Sequence, residues 1–341
     1  MKGRTIVLDH YNGSEAAARM VNGALDDLLI DDDAHPRPGA IYRAICDRPM
    51  KGQGGMMVRL PDGDTGFLRQ GKGLRPGQPL LVQVTGYGLD GKAVPVTDRI
   101  LFKSRYAIVT PGKPGRNISR KIKDDAERDR LAEIAHDVFD SDEMGLILRS
   151  SCEGATADDI AEDITAMLDL AQAVTGDADG TEPEALTEGD GPHAIAWRDW
   201  VEPAEIVTAP GGFDRDGVLD AIEALRGTRH DLSPGTLFVE ATRALVAVDV
   251  NTGGDTSPGA ALKANLAACR ILPRALRLRG LGGQIAVDFA PMSKAHRRQV
   301  DQALRAAFKA DPVETSLVGW TAMGLFELQR KRERLPLAGR I

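Results

Sequence analysis

Aromatic residues supply only 4% of this 341-residue chain, and cysteine occurs three times. Cys46, Cys152 and Cys269 stand far apart, with no CxxC pair among them. That spacing argues against a disulfide framework and against a thiolate zinc site. The six histidines show no HxxxH or HExxH spacing, which removes the helix-borne zinc pair as well. Neither a Walker phosphate loop nor a GxGxxG turn is found. No stretch approaches the roughly 18 apolar residues that span a bilayer. The opening Met1-Lys2-Gly3-Arg4-Thr5-Ile6-Val7-Leu8 holds a three-residue apolar run, too short for a secretory signal. The expectation is a cytoplasmic protein with no membrane segment.

What is abundant is glycine (37) and proline (19), within a chain 42% hydrophobic and 27% charged. This is the balance of a soluble globular protein of roughly two or three domains, with cores of Val, Leu, Ile and Ala. The net charge of −7 is unevenly spread. Lys103 to Lys123 carries seven Lys/Arg and no acid, and Lys263 to Lys309 carries ten against Asp288 and Asp301. The acid gathers between Asp124 and Asp190, with 21 Asp/Glu opposed only by Arg128, Arg130 and Arg149. A chain segregated in this way can present basic surfaces to phosphate while remaining acidic overall. Solvated helix faces are the plainer alternative.

The first segment reads as a strand (Thr5 to Leu8), a helix (Ser14 to Asn22) and a second strand (Leu28 to Ile30). From Ala40 to about Arg99 come short alternating runs separated by glycines, which suggest a small all-β barrel. Helices are expected at Asp124 to Val138, Ala157 to Val174 and Arg215 to Arg226, and a strand at Gly145 to Arg149. Thr175 to Gly191 is polar and acid-rich and reads as a linker. The last region carries the sharpest pattern. Strands at Thr236 to Glu240 and Ala244 to Asp249 are followed by a loop to Pro258 and a helix whose Leu262, Leu266, Cys269, Leu272 and Leu276 recur every three or four residues. Pro273 is expected to kink or divide that helix. Gly280 to Gly283 ends it, and Gln284 to Phe289 is a further strand, so the whole fits a parallel βαβ unit.

Asp249 and Asp288 each end an almost wholly apolar strand. Near a core an ionised carboxylate is costly unless paired or bound to metal. Neighbouring parallel strands would bring both to one carboxyl edge, where open α/β sheets place their ligands. Two such carboxylates suit a hard divalent cation such as Mg²⁺, which can orient water against a phosphodiester. The other reading is that each aspartate merely caps the following turn or helix. Asn251 stands two residues beyond Asp249, able to bond a phosphate oxygen or to stabilise the turn. Asp255 reads as a helix cap.

At these residues the chain resembles a known family. Ala244-Leu245-Val246-Ala247-Val248-Asp249-Val250-Asn251, Gly253-Gly254-Asp255, Asn265-Leu266, Leu276-Arg277-Leu278-Arg279, Leu281-Gly282-Gly283 through Asp288-Phe289, and Gly324-Leu325-Phe326-Glu327-Leu328 resemble the catalytic core of ribonuclease E/G. The resemblance implies a multidomain α+β or α/β chain. A ribonuclease-H-like domain would comprise residues 1–38 and 181–233, with an OB-type RNA-binding barrel (39–100) inserted. A five-prime-sensor subdomain (101–180) and a deoxyribonuclease-I-like catalytic subdomain (234–341) complete it. It further implies an endoribonuclease of single-stranded RNA, with Asp249 and Asp288 as ligands of Mg²⁺ (Mn²⁺ being the alternative ion) and Asn251 steadying the scissile phosphate. Arg149 and Ser150 match the pocket for a five-prime monophosphate, and bidentate guanidinium contact suits phosphate. The alternative for Arg149 is an ion pair with its acidic neighbours. Arg120, in Ile118-Ser119-Arg120-Lys121-Ile122, falls in the same subdomain. Phe67 stands where the family stacks a base, unless it is a core phenylalanine, and Lys92 is placed to contact phosphate.

Several positions depart from the family pattern. Met57 stands where the family has another aromatic in the barrel, and the loop from Asn251 to Asp255 is short. Asp311-Pro312-Val313-Glu314 replaces the stretch that carries a supplementary sensor arginine. Little preference for a five-prime monophosphate is therefore expected. No paired-cysteine zinc link is present, so no structural zinc is expected, and a monomer or a dimer without that link is. A non-catalytic RNA-binding regulator on the same scaffold is the competing reading.

Overall fold

The computed structural model describes residues 3–50, 52, 54–88, 91–255 and 257–340. It divides into two compact units, one of Met1–Ile30 with Ala204–Ile341 and one of Asp31–Pro203. The chain opens with β1 (Arg4–Tyr11), β2 (Ser14–Val21) and β3 (Ala24–Ile30), an antiparallel meander. The helix expected over Ser14 to Asn22 is thus a strand. Its alanines favour a helix by propensity, but Asn12-Gly13 and Asn22-Gly23 bracket it, and all four residues have positive φ. That is the two-residue hairpin turn whose twist matches paired strands. Ala16, Ala17 and Ala18 are all buried, so the strand is covered on both faces and shows no alternation.

In the second unit, β4 (Ile41–Met50), β5 (Gly55–Arg59), β6 (Thr65–Leu68), β7 (Pro79–Val84) and β8 (Val94–Thr97) form the expected barrel. Their order is β4-β5-β6-β8-β7, and β7 pairs back to β4, closing five strands in the manner of an OB fold. Cys46, Met56, Val58, Leu68, Val82 and Val96 fill it. Gly66 has to be glycine, because a Cβ there would meet Val58 Cγ2 at 2.8 Å. Next come β9 (Phe102–Lys103), β10 (Ala107–Pro111), β11 (Gly115–Ile118), α1 (Asp125–Val138), β12 (Met144–Leu148) and α2 (Ala157–Gly176). The sheet runs β11-β12-β10-β9, and its Val109 and Leu146 share a core with Leu131 of α1 and Ile160 and Ile164 of α2. Asp124 and Thr156 cap the two helices through their side chains.

The segment read as a linker contains β13 (Glu184–Thr187), which adds to β4 at the barrel. The cause is Arg43, whose guanidinium bonds the carbonyls of Asp177 (2.9 Å), Asp179 (3.3 Å) and Glu182 (3.2 Å) and the carboxylate of Glu184. After α3 (Pro192–Asp199), β14 (Glu205–Val207) pairs parallel to β1 in the first unit. Residues 181–203 therefore belong with the barrel rather than with β1–β3. The helix expected from Arg215 to Arg226 is divided into α4 (Gly212–Arg215) and α5 (Val218–Ala224) at Gly217, whose φ is 71°.

The rest of that unit holds β15 (Arg229–Asp231), β16 (Thr236–Ala241), β17 (Val246–Asn251), α6 (Pro258–Leu278), β18 (Gly283–Asp288), α7 (Lys294–Ala310), β19 (Thr315–Trp320) and β20 (Phe326–Arg330). The sheet order is β15-β16-β17-β18-β20-β19, and β17 and β18 are parallel with α6 as their crossover, as the sequence implies. Pro273 does not divide α6, which is one helix across it. Leu272 and Leu276 of α6 and Val300 and Leu304 of α7 pack on Val246, Val248, Ile285 and Val287. Among the described residues no helix is long and apolar enough to cross a membrane.

A buried ionic cluster ties β3 to this sheet. Asp27, 1% exposed, accepts from Arg334, and Arg277 lies 3.3 Å from it. Arg277 also reaches Asp311, which pairs with Arg330 at 2.9 Å. Asp311 is thereby a structural anchor. Burial pushes the Asp27 carboxyl up, but the charge of Arg334, then of Arg277 and Arg19, outweighs it and holds the group below the usual carboxylate range. Removing one partner of a buried pair leaves the others uncompensated. Asp27→Ala is expected to cost about 3–5 kcal/mol, read as a lowered urea midpoint. A midpoint unchanged from the parent chain would show the cluster to be dispensable.

Candidate active site

On β17 the side chains of Val246, Val248 and Val250 are buried, while Asp249 and Asn251 are exposed and Ala247 is half-buried. On β18 Ile285 and Val287 are buried, Asp288 is exposed and Ala286 is half-buried. The two-residue period thus sends the valines to the helices and the aspartates to the open face. The parallel register pairs Val248 with Val287 and Asp249 with Asp288. Adjacent strands lie about 4.8 Å apart, so the two aspartates are lateral neighbours on the same face. Asn251 Nδ2 donates to Asp249 Oδ2 at 2.6 Å. Asp288 ends its strand as expected, but Asp249 does not, because β16 keeps pairing with β17 as far as Asn251. The small Ala247 and Ala286 form the floor of an open groove of about 370 Å³, walled by Phe238, Glu240 and Leu325 and holding both aspartates.

Neither aspartate has a basic partner among the described residues. Two carboxylates on neighbouring strands with no basic partner can share a cation between them. The donors are oxygens only, which suits a hard divalent ion that keeps several waters. Among the described residues no group of three or more His, Cys, Asp or Glu could cage a metal. A two-carboxylate site leaves coordination positions for water and phosphate oxygen. The cysteines offer no rival, since all three are buried, and burial pushes the thiols of Cys152 and Cys269 up to about 12.

One supporting residue has no role assigned from the sequence. Asn265 of α6 is 0% exposed, donating Nδ2 to the Ala290 carbonyl at 2.9 Å and accepting the Ala290 N–H at 3.0 Å. It clips the backbone two residues beyond Asp288. Its signal was a polar residue on the apolar stripe of α6, where a buried amide must satisfy both its groups.

The remaining candidates lie in the unit Asp31–Pro203. Met57 and Phe67 are direct cross-strand partners on β5 and β6, both half-buried on the outside of the barrel, with Pro95 of β8 beside Phe67. The Phe67 ring lies over Gly55, where a Cβ would come within 2.4 Å of it. Phe67 is therefore outside the barrel core. Lys92 is exposed on the loop leading to β8, and Arg120 is exposed beyond β11. Ser150 is half-buried in the turn that follows Arg149.

The Arg149 guanidinium is committed to the protein. Its Nη1 bonds the carbonyls of Ser104, Arg105 and Arg198, and its Nη2 bonds Asp199 at 2.7 Å. Asp199 also pairs with Lys103 at 2.8 Å and Arg198 at 2.9 Å. Burial pushes the Asp199 carboxyl up, but Arg198 and Lys103 outweigh that and bring it down to about 2.

A sheet that displays two aspartates and an amide over a small-residue floor, in a chain that also carries a closed OB-like barrel, defines a mixed α+β protein with an acidic open groove. The model of the Ribonuclease E/G family matches residues 102–208 and 204–333. The chain belongs to that family. It is 30% identical to a Ribonuclease G of Escherichia coli strain K12 over 76% of this chain and 61% of the relative. A Ribonuclease G of Salmonella typhimurium is 29% identical with the same coverage, and a Ribonuclease E of Nostoc is 28% identical over 89% of this chain and 52% of its own length. The chain thus spans about three fifths of the Ribonuclease G relatives and half of the Ribonuclease E.

Two outcomes follow from these contacts. Asn265→Leu leaves both Ala290 groups unpaired and should cost about 1–3 kcal/mol, seen in the urea midpoint; no loss would mean the clip bears no load. Asp199 has a lowered pKa, so its stabilisation is complete above about pH 4 and is lost as pH falls towards 2. Asp199→Asn should therefore lower the melting temperature at pH 7 and cease to matter near pH 2. An equal penalty at both pH values would refute the ionic origin.

Proposed function

We propose that the chain is a magnesium-dependent endoribonuclease that hydrolyses internal phosphodiesters of single-stranded RNA, in RNA processing or decay in the cytoplasm. The observation that carries this reading is the register of Asp249 against Asp288 on adjacent parallel strands. Family membership supports it. The same reading assigns β16–β20 with α6 and α7 to a deoxyribonuclease-I-like catalytic subdomain, and β1–β3 with β14, α4 and α5 to a ribonuclease-H-like domain. The sheet β9–β12 becomes the sensor subdomain.

Asp249 and Asp288 would hold the cation, Mg²⁺ or Mn²⁺. When bound, it supplies activation of water and neutralisation of phosphate charge. Asn251 keeps Asp249 oriented through one N–H of its amide, and the second N–H of that amide is a donor for a phosphate oxygen. The open groove gives an extended strand access to both carboxylates. Single-stranded bases can stack on Phe67 with Met57 beside it, while Lys92 and Arg120 offer charge to the backbone. Arg149 and Ser150 are the residues matching an end-binding pocket. Arg149 spends its donors on Asp199 and three carbonyls, which favours weak discrimination of the five-prime end.

Asp288→Asn is expected to abolish cleavage of a single-stranded oligoribonucleotide while its binding stays within about twofold. It should also remove the rise in melting temperature that magnesium gives the parent chain, since an ion that binds only the native state stabilises it. Undiminished cleavage in the variant would refute the site. Rates on five-prime monophosphate and five-prime hydroxyl substrates should differ little; a large ratio would show that Arg149 is released to read the end.

A further inference from the structure

The basic patch around Arg149 contains one guanidinium that the protein does not neutralise. Lys103, Arg149 and Arg198 all converge on Asp199, and Arg198 also reaches Asp190. Arg105 has no carboxylate partner among the described residues. Its guanidinium carbon lies 4.1 Å from the centre of the Trp197 ring, and its Nη1 donates to the Trp197 carbonyl. Its Nε is buried with no hydrogen-bond partner. The Arg105 carbonyl is itself fixed by Arg149 Nη1 and Ser151 Oγ, so the stack is held from below. Trp197, on α3, remains 57% exposed.

An indole left in water is costly in apolar area, and three tryptophans are all this chain has. A guanidinium layered on an exposed indole forms a flat, positively charged platform. Such planes take up nucleobases by stacking while the cation meets the adjacent phosphate. The four cations Lys103, Arg105, Arg149 and Arg198 outnumber the three carboxylates Asp163, Asp190 and Asp199 around them, which leaves this surface positive and matches a polyanion. We infer that Arg105 and Trp197 form a nucleotide-stacking site for single-stranded RNA, separate from Phe67 on the barrel and from the Asp249–Asp288 groove. The inference rests on the RNA reading above. It names Arg105, rather than Arg149, as the guanidinium of this patch that meets RNA, and it needs no particular chain end.

The test is tryptophan fluorescence of the full chain, with EDTA present to stop cleavage, titrated with a single-stranded oligoribonucleotide and separately with inorganic polyphosphate. RNA should quench the emission. Trp197→Leu should lose most of that quench and bind roughly tenfold more weakly. Arg105→Gln should weaken binding and reduce the salt slope by about one. Arg105→Lys should keep the slope without regaining full affinity, and Trp197→Phe should restore most of the affinity. If Trp197→Leu does not fold, as judged by circular dichroism, Trp197→Phe and Arg105→Gln decide the matter. Parental affinity in both Trp197→Leu and Arg105→Gln would overturn the inference, as would a quench that polyphosphate reproduces. A parent chain that cuts RNA while these variants bind normally sinks the stacking site alone. One that neither binds nor cuts RNA removes the proposed function along with it.

Discussion

Parallel pairing of β17 with β18 in one register places two aspartates on neighbouring strands, and the packing of the rest of that unit holds them there. The strands cannot slide out of that register. A one-residue slip would turn Val246, Val248, Ile285 and Val287 out of the core they share with α6 and α7. Apolar packing on one face therefore fixes which side chains are neighbours on the other.

Arginine does two different jobs in this chain. Arg277 and Arg330 are buried among Asp27 and Asp311, and Arg43 and Arg149 bind backbone carbonyls at helix ends and in loops. In each case the planar fork of five donors organises several segments at once, which a lysine could not do. Arg105 is different in having a ring beneath it and no acid beside it. A good share of the charge in the basic stretches of the sequence is thus consumed inside the protein.

The elements legible from residues alone were those with strong local period or clear caps. Helix α6 followed from its apolar stripe, α2 from its apolar spacing, and the βαβ unit from two apolar strands around a helix. The barrel followed from short alternating runs between glycines. The failures share a cause. Ala16 to Ala18 read as helix because a strand covered on both faces has no alternation, although the flanking Asn-Gly pairs carried the answer. The segment holding β13 read as a linker because what orders it, Arg43, lies 141 residues away from Glu184.

The sequence by itself determined that Asp249 and Asp288 sit at the polar positions of apolar strands, and that an amide follows the first of them. Side-chain alternation is a local property of the backbone, so residue order suffices for that. Tertiary structure alone decided that the two strands share a register, that Asn265 clips the turn after Asp288, and that Arg149 is spent while Arg105 is not. Those outcomes depend on which distant groups compete for the same donors and acceptors, and that competition exists only once the chain has closed on itself.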